Sequence, residues 1–297
     1  MRIVDPHIHL WDLSGTAYPW LASPGVSFLG DYSSLAKTHL PADFLREAGE
    51  IEVLKVVHVE AGHDPSTPLQ ETEWLQGLAD AAGGGGYPQG IVAGADFSRP
   101  DAPSLLAAHA RHPNVRGVRQ ILNVHADPLY DYVSRNFMAE PEWRANFGLL
   151  ARHRLSFDLQ IYPDQMATAA DLAHENPDVP VIVNHTGMFV DRGSFRAWRV
   201  WTQGLRRLAA EPNVFIKISG LGMFDHQWTT ESFRPYVLEA IAAFGADRAM
   251  FASNFPVDRL FGSYTRLWRS YEAIVADASP MEKDALFRAN AERVYRL

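Results

Sequence analysis

Short apolar runs rich in β-branched residues alternate along the chain with longer amphipathic segments. Eight runs have the length and composition of strands, and they cover residues 2–9, 53–60, 90–96, 117–122, 155–162, 179–185, 214–219 and 248–253. Six amphipathic segments predict helices at residues 69–82, 104–111, 141–153, 165–175, 194–210 and 232–244. Strands that alternate with helices are typical of a parallel sheet with crossover helices. The pattern therefore predicts an α/β fold, a closed (β/α)8 TIM barrel that forms a single domain over residues 1–297.

Alternate residues on a strand point to the same side, so the polar positions predict which side chains enter the barrel. In the fifth strand the inward set is Ser156, Asp158, Gln160 and Tyr162. The same alternation pairs His58 with Glu60 on the second strand and Lys217 with Ser219 on the seventh.

Three histidines stand where predicted strands end. His7 and His9 are alternate residues at the end of the first strand, and His185 follows the apolar run of the sixth. TIM barrels carry their chemistry at the carboxyl ends of the strands, so we expect the three imidazoles to face one cavity. Imidazoles that converge can bind a metal or polarise a carbonyl group. The alternative is that they are unrelated surface and core histidines.

Composition excludes several classes of function. The chain has 35 acidic residues against 27 Lys and Arg, a formal charge of -8, so it lacks the basic surface that binds nucleic acid or an anionic membrane. It has no cysteine, which excludes disulfides and thiol catalysis and is typical of a reducing compartment. No apolar run reaches about 18 residues. We expect a cytoplasmic protein that acts on a small-molecule substrate. The sequence does not decide between a monomer and a homo-oligomer.

Five motifs at the predicted strand ends resemble the amidohydrolase superfamily, in its branch of lactonases and amidohydrolase-2 type hydrolases. They are DPHIHLWD at 5–12, RGVRQ at 116–120, NHTG at 184–187, IKISGL at 216–221 and MFASNFPV at 250–257. The resemblance spans nearly the whole chain. It implies a TIM barrel that opens the ring of a small lactone, either of a sugar acid, as sugar-acid lactonases do, or of an aromatic-degradation intermediate, as pyrone-dicarboxylate lactonases do.

The resemblance also implies roles for single residues. It makes His7, His9 and His185 the ligands of one divalent metal, zinc or manganese, or, in metal-independent members, the groups that polarise the lactone carbonyl. The strand-eight position usually carries an Asp that deprotonates water, and here it is Asn254. An amide orients water but does not take a proton near neutral pH.

Another residue would then have to be the general base. Asp258 is the first choice by position, and its alternative role is the N-cap of the following helix. Asp158 and Glu60 are the other candidates. A metal-bound hydroxide would remove the need for a strong protein base.

Substrate recognition is expected from polar side chains at or after the strand ends. Arg119 would clamp a carboxylate or the ring oxygen, although Glu60 or Asp158 could instead be its structural partner. The further candidates are His58, His63, Gln160, Tyr162, Lys217, His226, Trp228 and Arg259. A long connection at 11–49 carries Tyr18, Pro19 and Trp20, which either wall the pocket or simply pack.

Other functions compete with lactone hydrolysis. A metal-dependent decarboxylase or hydratase of a small carboxylic acid would use the same barrel. A ligand-binding relative that lost turnover with Asn254 is a further alternative. Lys217 could form a Schiff base in an aldolase, although the string around it favours the hydrolase.

Overall fold

The protein is described by a computed structural model that covers residues 1–15, 17–23, 25–81 and 85–297. Its strands are β1 (Arg2–Ile8), β2 (Glu52–Val59), β3 (Gly90–Gly94), β4 (Val115–Ile121), β5 (Ser156–Gln160), β6 (Val181–Val183), β7 (Val214–Ile218) and β8 (Ala249–Phe251). They pair in parallel in chain order. A bridge between Ile8 and Phe255 joins the first strand to the end of the eighth. The predicted (β/α)8 TIM barrel is confirmed.

Helices surround this sheet. They are α1 (Pro19–Ala22), α2 (Pro41–Ala48), α3 (Gln70–Asp80), α4 (Ala102–His109), α5 (Pro141–His153), α6 (Met166–Glu175), α7 (Phe195–Ala209), α8 (Thr230–Phe244), α9 (Tyr264–Ile274), α10 (Pro280–Asp284) and α11 (Asn290–Tyr295). The six predicted helices correspond to α3 to α8, and residue 82 of the first prediction lies outside the described residues. Within the described ranges, no helix has both the length and the apolar character needed to cross a membrane.

The strands are buried on both faces, which explains their nearly continuous apolar composition. The interior of the barrel holds its own apolar cluster, which includes Val4, Val57, Val92, Ile182 and Met250. Val294 and Tyr295 of α11 belong to the same cluster. The last helix therefore closes the end of the barrel opposite the site, and its Tyr295 hydroxyl meets Asp158, a polar residue of β5 that lies deep in the barrel.

Strand β5 shows how alternation positions the polar side chains. Phe157 points outward and packs against Trp143 and Phe147 of α5. Asp158 points inward, where it meets Lys217 of β7. Tyr162 lies beyond the end of the strand, and its hydroxyl donates to Tyr130 O at 2.8 Å, so the predicted inward orientation does not hold for this residue.

Candidate active site

Three histidines meet at the carboxyl ends of β1 and β6. The ring centroids of His7 and His9 lie 5.1 Å apart, and those of His7 and His185 lie 4.5 Å apart. All three side chains are buried. The structure thus brings together the imidazoles that the sequence placed at two separate strand ends.

Two of the site residues have left-handed backbone conformation. His185 has a φ of 52° and Asn254 a φ of 61°. His and Asn adopt this region more readily than most residues, but it still carries strain, and strain of this kind clusters at functional sites. The backbone N–H of Asn254 donates to His7 O at 2.8 Å, which ties the end of β8 to the end of β1.

Hydrogen bonds fix the orientation of His9. Its Nδ1 lies 2.7 Å from Val59 O, and a carbonyl can only accept, so Nδ1 carries the proton. Its Nε2 is then unprotonated and faces Asn254 Oδ1 at 3.2 Å. Burial lowers the pKa of His9 to about 3. Burial also lowers the pKa of His7 and of His185 well below the usual value, so the three imidazoles are neutral at pH 7.

Asp258 lies behind Asn254. The Nδ2 of Asn254 donates to Asp258 Oδ1 at 3.2 Å, and this contact turns Asn254 Oδ1 toward His9. Burial raises the pKa of Asp258 to about 7. The N-cap alternative for Asp258 is wrong, because the residue lies inside a short 3₁₀ turn and the cap of α9 is Ser263.

Lys217 lies beneath His7, deep in the barrel. Its Nζ forms an ion pair with Asp158 and lies 3.5 Å from His7 Nδ1. Burial lowers the pKa of Lys217 to about 8, against the opposing effect of Asp158. Asp158 also accepts from Asn184 Nδ2 at 2.9 Å and from the Tyr295 hydroxyl. Lys217 and Asp158 are both fully buried, and neither lines the cavity described below.

Arg119 pairs with Glu60 at the edge of the site. Its Nε donates to Glu60 Oε1 at 2.7 Å, its Nη2 to Glu60 O at 2.6 Å and its Nη1 to Gln160 Oε1 at 2.9 Å. Burial raises the pKa of Glu60, but the Arg119 guanidinium and the backbone amide of Gly62 together lower it more, so the pKa lies below the usual value. Of the two structural partners that the sequence allowed for Arg119, Glu60 and Asp158, the structure shows Glu60.

A cavity of about 610 Å³ opens above the histidines. His9, Arg119, Gln160, His185 and Asn254 are its polar lining residues near the strand ends. The rest of its wall comes largely from connections that follow the strands, and includes Trp20, Phe28, Leu129, Met188 and Met223. Pro19 and Trp20 line it as predicted for an aromatic wall, whereas Tyr18 packs against Trp11 and donates to Glu71.

Several predicted specificity residues do not line this cavity. His58 lies behind His9, where its Nδ1 accepts from the amide of Leu10 at 3.0 Å. Trp228 is stacked on Phe233, with the guanidinium of Arg266 4.0 Å from its ring centroid. Tyr162, Lys217, His63, His226 and Arg259 are likewise absent from the lining among the described residues. Their predicted contact with substrate has no support in this arrangement.

Sequence reasoning missed two buried carboxyl groups that support the site. Asp5 accepts from the amide of Ser253 at 3.0 Å and from the hydroxyl of Tyr264 at 2.9 Å, which holds β1 against β8. Glu71 of α3 accepts from the amide of Ala61 at 3.1 Å. The Asp-x-His spacing of the first motif was a signal for Asp5, whereas nothing in the helical pattern around Glu71 marks it as buried.

The donor groups of the site fit a divalent ion chemically. The imidazoles are neutral, His7 Nε2 has no hydrogen-bond partner within the described part of the chain, and His9 Nε2 faces an amide oxygen. As placed, however, the described residues contain no group of three or more His, Cys, Asp or Glu side chains arranged to hold a metal. The ligand set His7, His9 and His185 is therefore not preformed and stays a prediction.

Comparison of the sequence and the structure with known proteins finds the same fold and assigns the chain to a family. The sequence model of the family described as amidohydrolase matches residues 4–297. An uncharacterized protein, y4mH, of Sinorhizobium fredii is 50% identical over 301 residues, which cover 100% of this chain and 99% of that protein. An L-fucono-1,5-lactonase of Burkholderia ambifaria is 26% identical over 307 residues, which cover 99% of this chain and 95% of the relative. The crystal structure of an amidohydrolase from Burkholderia multivorans with bound zinc superposes with a TM-score of 0.82 at 24% identity, with 100% of both chains covered. The chain belongs to the amidohydrolase family.

Proposed function

We propose that this protein hydrolyses a small lactone by attack of water on the ring carbonyl. The observation that carries the proposal is the pair of acceptors formed by His9 Nε2 and Asn254 Oδ1, 3.2 Å apart in the lining of the cavity. A relative of Burkholderia ambifaria named L-fucono-1,5-lactonase, 26% identical over nearly the whole chain, supports the same class of reaction.

Two acceptors 3.2 Å apart leave no room for a water between them, but a water that lies over both in the cavity can donate one hydrogen to each. His9 Nε2 takes a proton from this water as the oxygen attacks the carbonyl carbon. The imidazolium that forms donates to Val59 O and Asn254 Oδ1, and these two acceptors offset part of the burial that lowers the pKa of His9 to about 3. We assign the role of general base to His9, since the side-chain amide of Asn254 separates Asp258 from the water.

The developing negative charge on the carbonyl oxygen requires hydrogen-bond donors. His7 is fully buried and does not line the cavity, so we assign this role to His185, which does line it and whose Nδ1 can accept from Ser219 Oγ at 3.1 Å, leaving the proton on Nε2. When the ring C–O bond breaks, the imidazolium of His9 returns its proton to the leaving oxygen and a hydroxy acid is released. When bound, a divalent ion such as zinc or manganese would be held by His7, His9 and His185 and would polarise the carbonyl and acidify water.

The test is a lactone panel followed with a pH indicator, with and without a chelator. We expect His185→Gln to lower kcat/KM by about 100-fold or more, the usual effect of removing one polarising group. The matched control is His174→Gln, because His174 is a histidine on the protein surface, paired with Glu211.

The outcomes separate the competing functions. Loss of activity with chelator and recovery with zinc or manganese would show that the metal is required. Unchanged hydrolysis in His185→Gln would contradict the site. Release of carbon dioxide or hydration of a carboxylic acid, without ring opening of any lactone, would favour the decarboxylase or hydratase. Lactone binding without turnover would favour the ligand-binding relative.

A further inference from the structure

We propose that the substrate is an uncharged lactone with a bulky alkyl or aryl substituent, rather than a polyhydroxylated sugar-acid lactone or a lactone that carries carboxylates. This inference rests on the proposed function, because it names the substrate class of the same site. It is argued from the wall of the cavity, whereas the function was argued from the polar groups at the strand ends.

The connections that wall the cavity contribute mainly apolar side chains. Trp20 and Phe28 come from the connection after β1, Leu129 from the connection after β4, Met188 from the connection after β6 and Met223 from the connection after β7. Such a surface gains free energy by burying hydrocarbon and gains nothing from burying hydroxyl groups.

Several polar atoms of this wall already have partners in the protein. The indole of Trp20 donates to Ala61 O at 2.7 Å. The hydroxyl of Tyr32 accepts from the amide of Gly25 at 2.8 Å, and that of Ser27 accepts from the amide of Leu29 at 3.1 Å. Asp131 accepts from Ser134 Oγ at 2.6 Å and from the amide of His125 at 3.1 Å. A sugar lactone would bury several hydroxyl groups against these occupied atoms, and unpaired buried hydroxyls weaken binding.

The charge of the lining also disfavours an anionic substrate. Of the described lining residues, Arg119 is the only Lys or Arg, and Glu60 neutralises it at 2.7 Å. Asp131 adds a negative charge to the same cavity. A substrate with one or more carboxylates would have to bring them into this site without a free cation to receive them.

Aromatic contacts between connections enclose the apolar part of the cavity. The ring of Phe28 is stacked on that of Phe224 with centroids 5.3 Å apart. It also contacts Tyr130 and Tyr132 at 5.8 and 6.2 Å. Three connections, after β1, β4 and β7, thus meet over the site through apolar rings, and an apolar substituent would extend the same packing.

The experiment compares kcat/KM on a chain-length series of 6-alkyl δ-valerolactones, on dihydrocoumarin and on glucono-δ-lactone. We expect kcat/KM to rise about threefold to fourfold with each methylene until the cavity is filled. We expect dihydrocoumarin to exceed glucono-δ-lactone by about 30-fold or more, from the same area term.

A pair of variants tests the wall directly. Leu129→Ser should flatten the chain-length dependence, with the largest fall in kcat/KM on the longest 6-alkyl δ-valerolactones. The control is Leu45→Ser on α2, because Leu45 and Leu129 are both 41% exposed and only Leu129 lines the cavity. Leu45→Ser should preserve the dependence.

Failure of this inference differs from failure of the proposed function. If glucono-δ-lactone is the better substrate and alkyl length has no effect, the substrate class is wrong and the lactonase activity stands. If no lactone is opened but binding of the alkyl lactones, measured by calorimetry, tightens with chain length, the hydrolytic function is wrong and the apolar cavity assignment stands. If no alkyl lactone binds or reacts, the inference is overturned.

Discussion

Asn254 uses both ends of its amide. Its Nδ2 donates to Asp258 and its Oδ1 faces the unprotonated nitrogen of His9, both at 3.2 Å. An Asp at this position would place two carboxyl groups in contact, and such pairs must share a proton. The amide avoids this repulsion and still presents an oxygen to the cavity, so the departure from the usual Asp is consistent with a working site.

Gly220 sets the position of His185. It has a φ of +63°, and a Cβ at this residue would lie 2.7 Å from His185 Nδ1. The same nitrogen is paired with Ser219 Oγ at 3.1 Å. We expect Gly220→Ala to displace the imidazole and to lower kcat/KM by tenfold or more, because a shift of about 1 Å can cost 100-fold in rate.

The control for this prediction is Gly245→Ala. Gly245 has a φ of +75° and nothing within 4 Å of its added Cβ, so the substitution carries the backbone strain alone. Urea unfolding should show a loss of about 1 kcal/mol of unfolding free energy in Gly245→Ala and a larger loss in Gly220→Ala, which adds the steric clash. Steady-state kinetics should show an activity loss in Gly220→Ala only. Equal activity losses in the two variants would contradict the steric argument.

At the level of elements, the pattern of the sequence predicted all eight strands but placed their carboxyl ends one or two residues too late. The sixth strand was predicted to end at His185 and ends at Val183, and the eighth was predicted to reach Ser253 and ends at Phe251. The predicted strands extend into the residues that follow the apolar runs, such as Asn184 and His185. The backbone turns instead into the left-handed region at His185 and Asn254, which tertiary contacts at the site select.

From the sequence, the proximity of the histidines could be predicted, whereas the positions of residues that depend on distant contacts could not. Period-two alternation was enough to aim His7 and His9 together, because it is a property of one strand. Trp228 belongs to a connection, and its packing against Arg266 of α9 depends on an approach between segments that no local pattern encodes. For the same reason α9 to α11 were not identified as separate helices from the sequence.

Helix α11 contributes a buried hydroxyl to the interior of the barrel. Tyr295 donates to the two carboxylate oxygens of Asp158 at 3.0 and 2.9 Å, beside the ion pair with Lys217. Tyr295→Phe leaves the ring in place and removes these bonds. We expect a loss of about 1.5–3 kcal/mol of unfolding free energy, the usual value for hydrogen bonds to a charged group.

Urea unfolding measures this loss, and Tyr271→Phe is the matched control. Tyr271 is as buried as Tyr295, but its hydroxyl makes one long contact of 3.4 Å to Ala252 O. Its removal should cost less than about 1 kcal/mol. Equal losses in the two variants would show that the bonds to Asp158 add no particular stability.

Across the molecule, burial shifts the pKa values of carboxyl groups and of histidines in opposite directions. Burial raises the pKa of Asp5 to about 6, of Asp258 to about 7 and of Glu71 to about 8. Burial lowers the pKa of His9 and of His58 to about 3. The native state therefore binds fewer protons on histidine than the unfolded chain between about pH 3 and 6.5, and more protons on these carboxyls between about pH 4 and their raised pKa values.

These proton differences predict the dependence of stability on pH. The unfolding free energy rises with pH where the unfolded state binds more protons, so the histidines make it rise between about pH 4 and 6.5. It falls where the native state binds more protons, so Glu71 and Asp258 make it fall from about pH 6.5 to 8.

Glu71→Gln removes one of these groups and keeps an oxygen that accepts from Ala61 and Tyr18. At about pH 3.5 the variant and the wild type should be equally stable, because Glu71 is then largely protonated in both states. At pH 8 the variant should be more stable, by on the order of 3 kcal/mol.

Urea unfolding at a series of pH values measures this difference, and Glu73→Gln is the control because Glu73 is an exposed residue of the same helix. Its unfolding free energy should follow that of the wild type across the series. The contact between Glu71 and His58 Nε2, at 3.6 Å, decides the sign. If the two groups are neutral, as their burial requires, Glu71→Gln stabilises the protein at pH 8. If they form an ion pair, the same substitution leaves a buried imidazolium without its partner and destabilises the protein, which would contradict the raised pKa of Glu71.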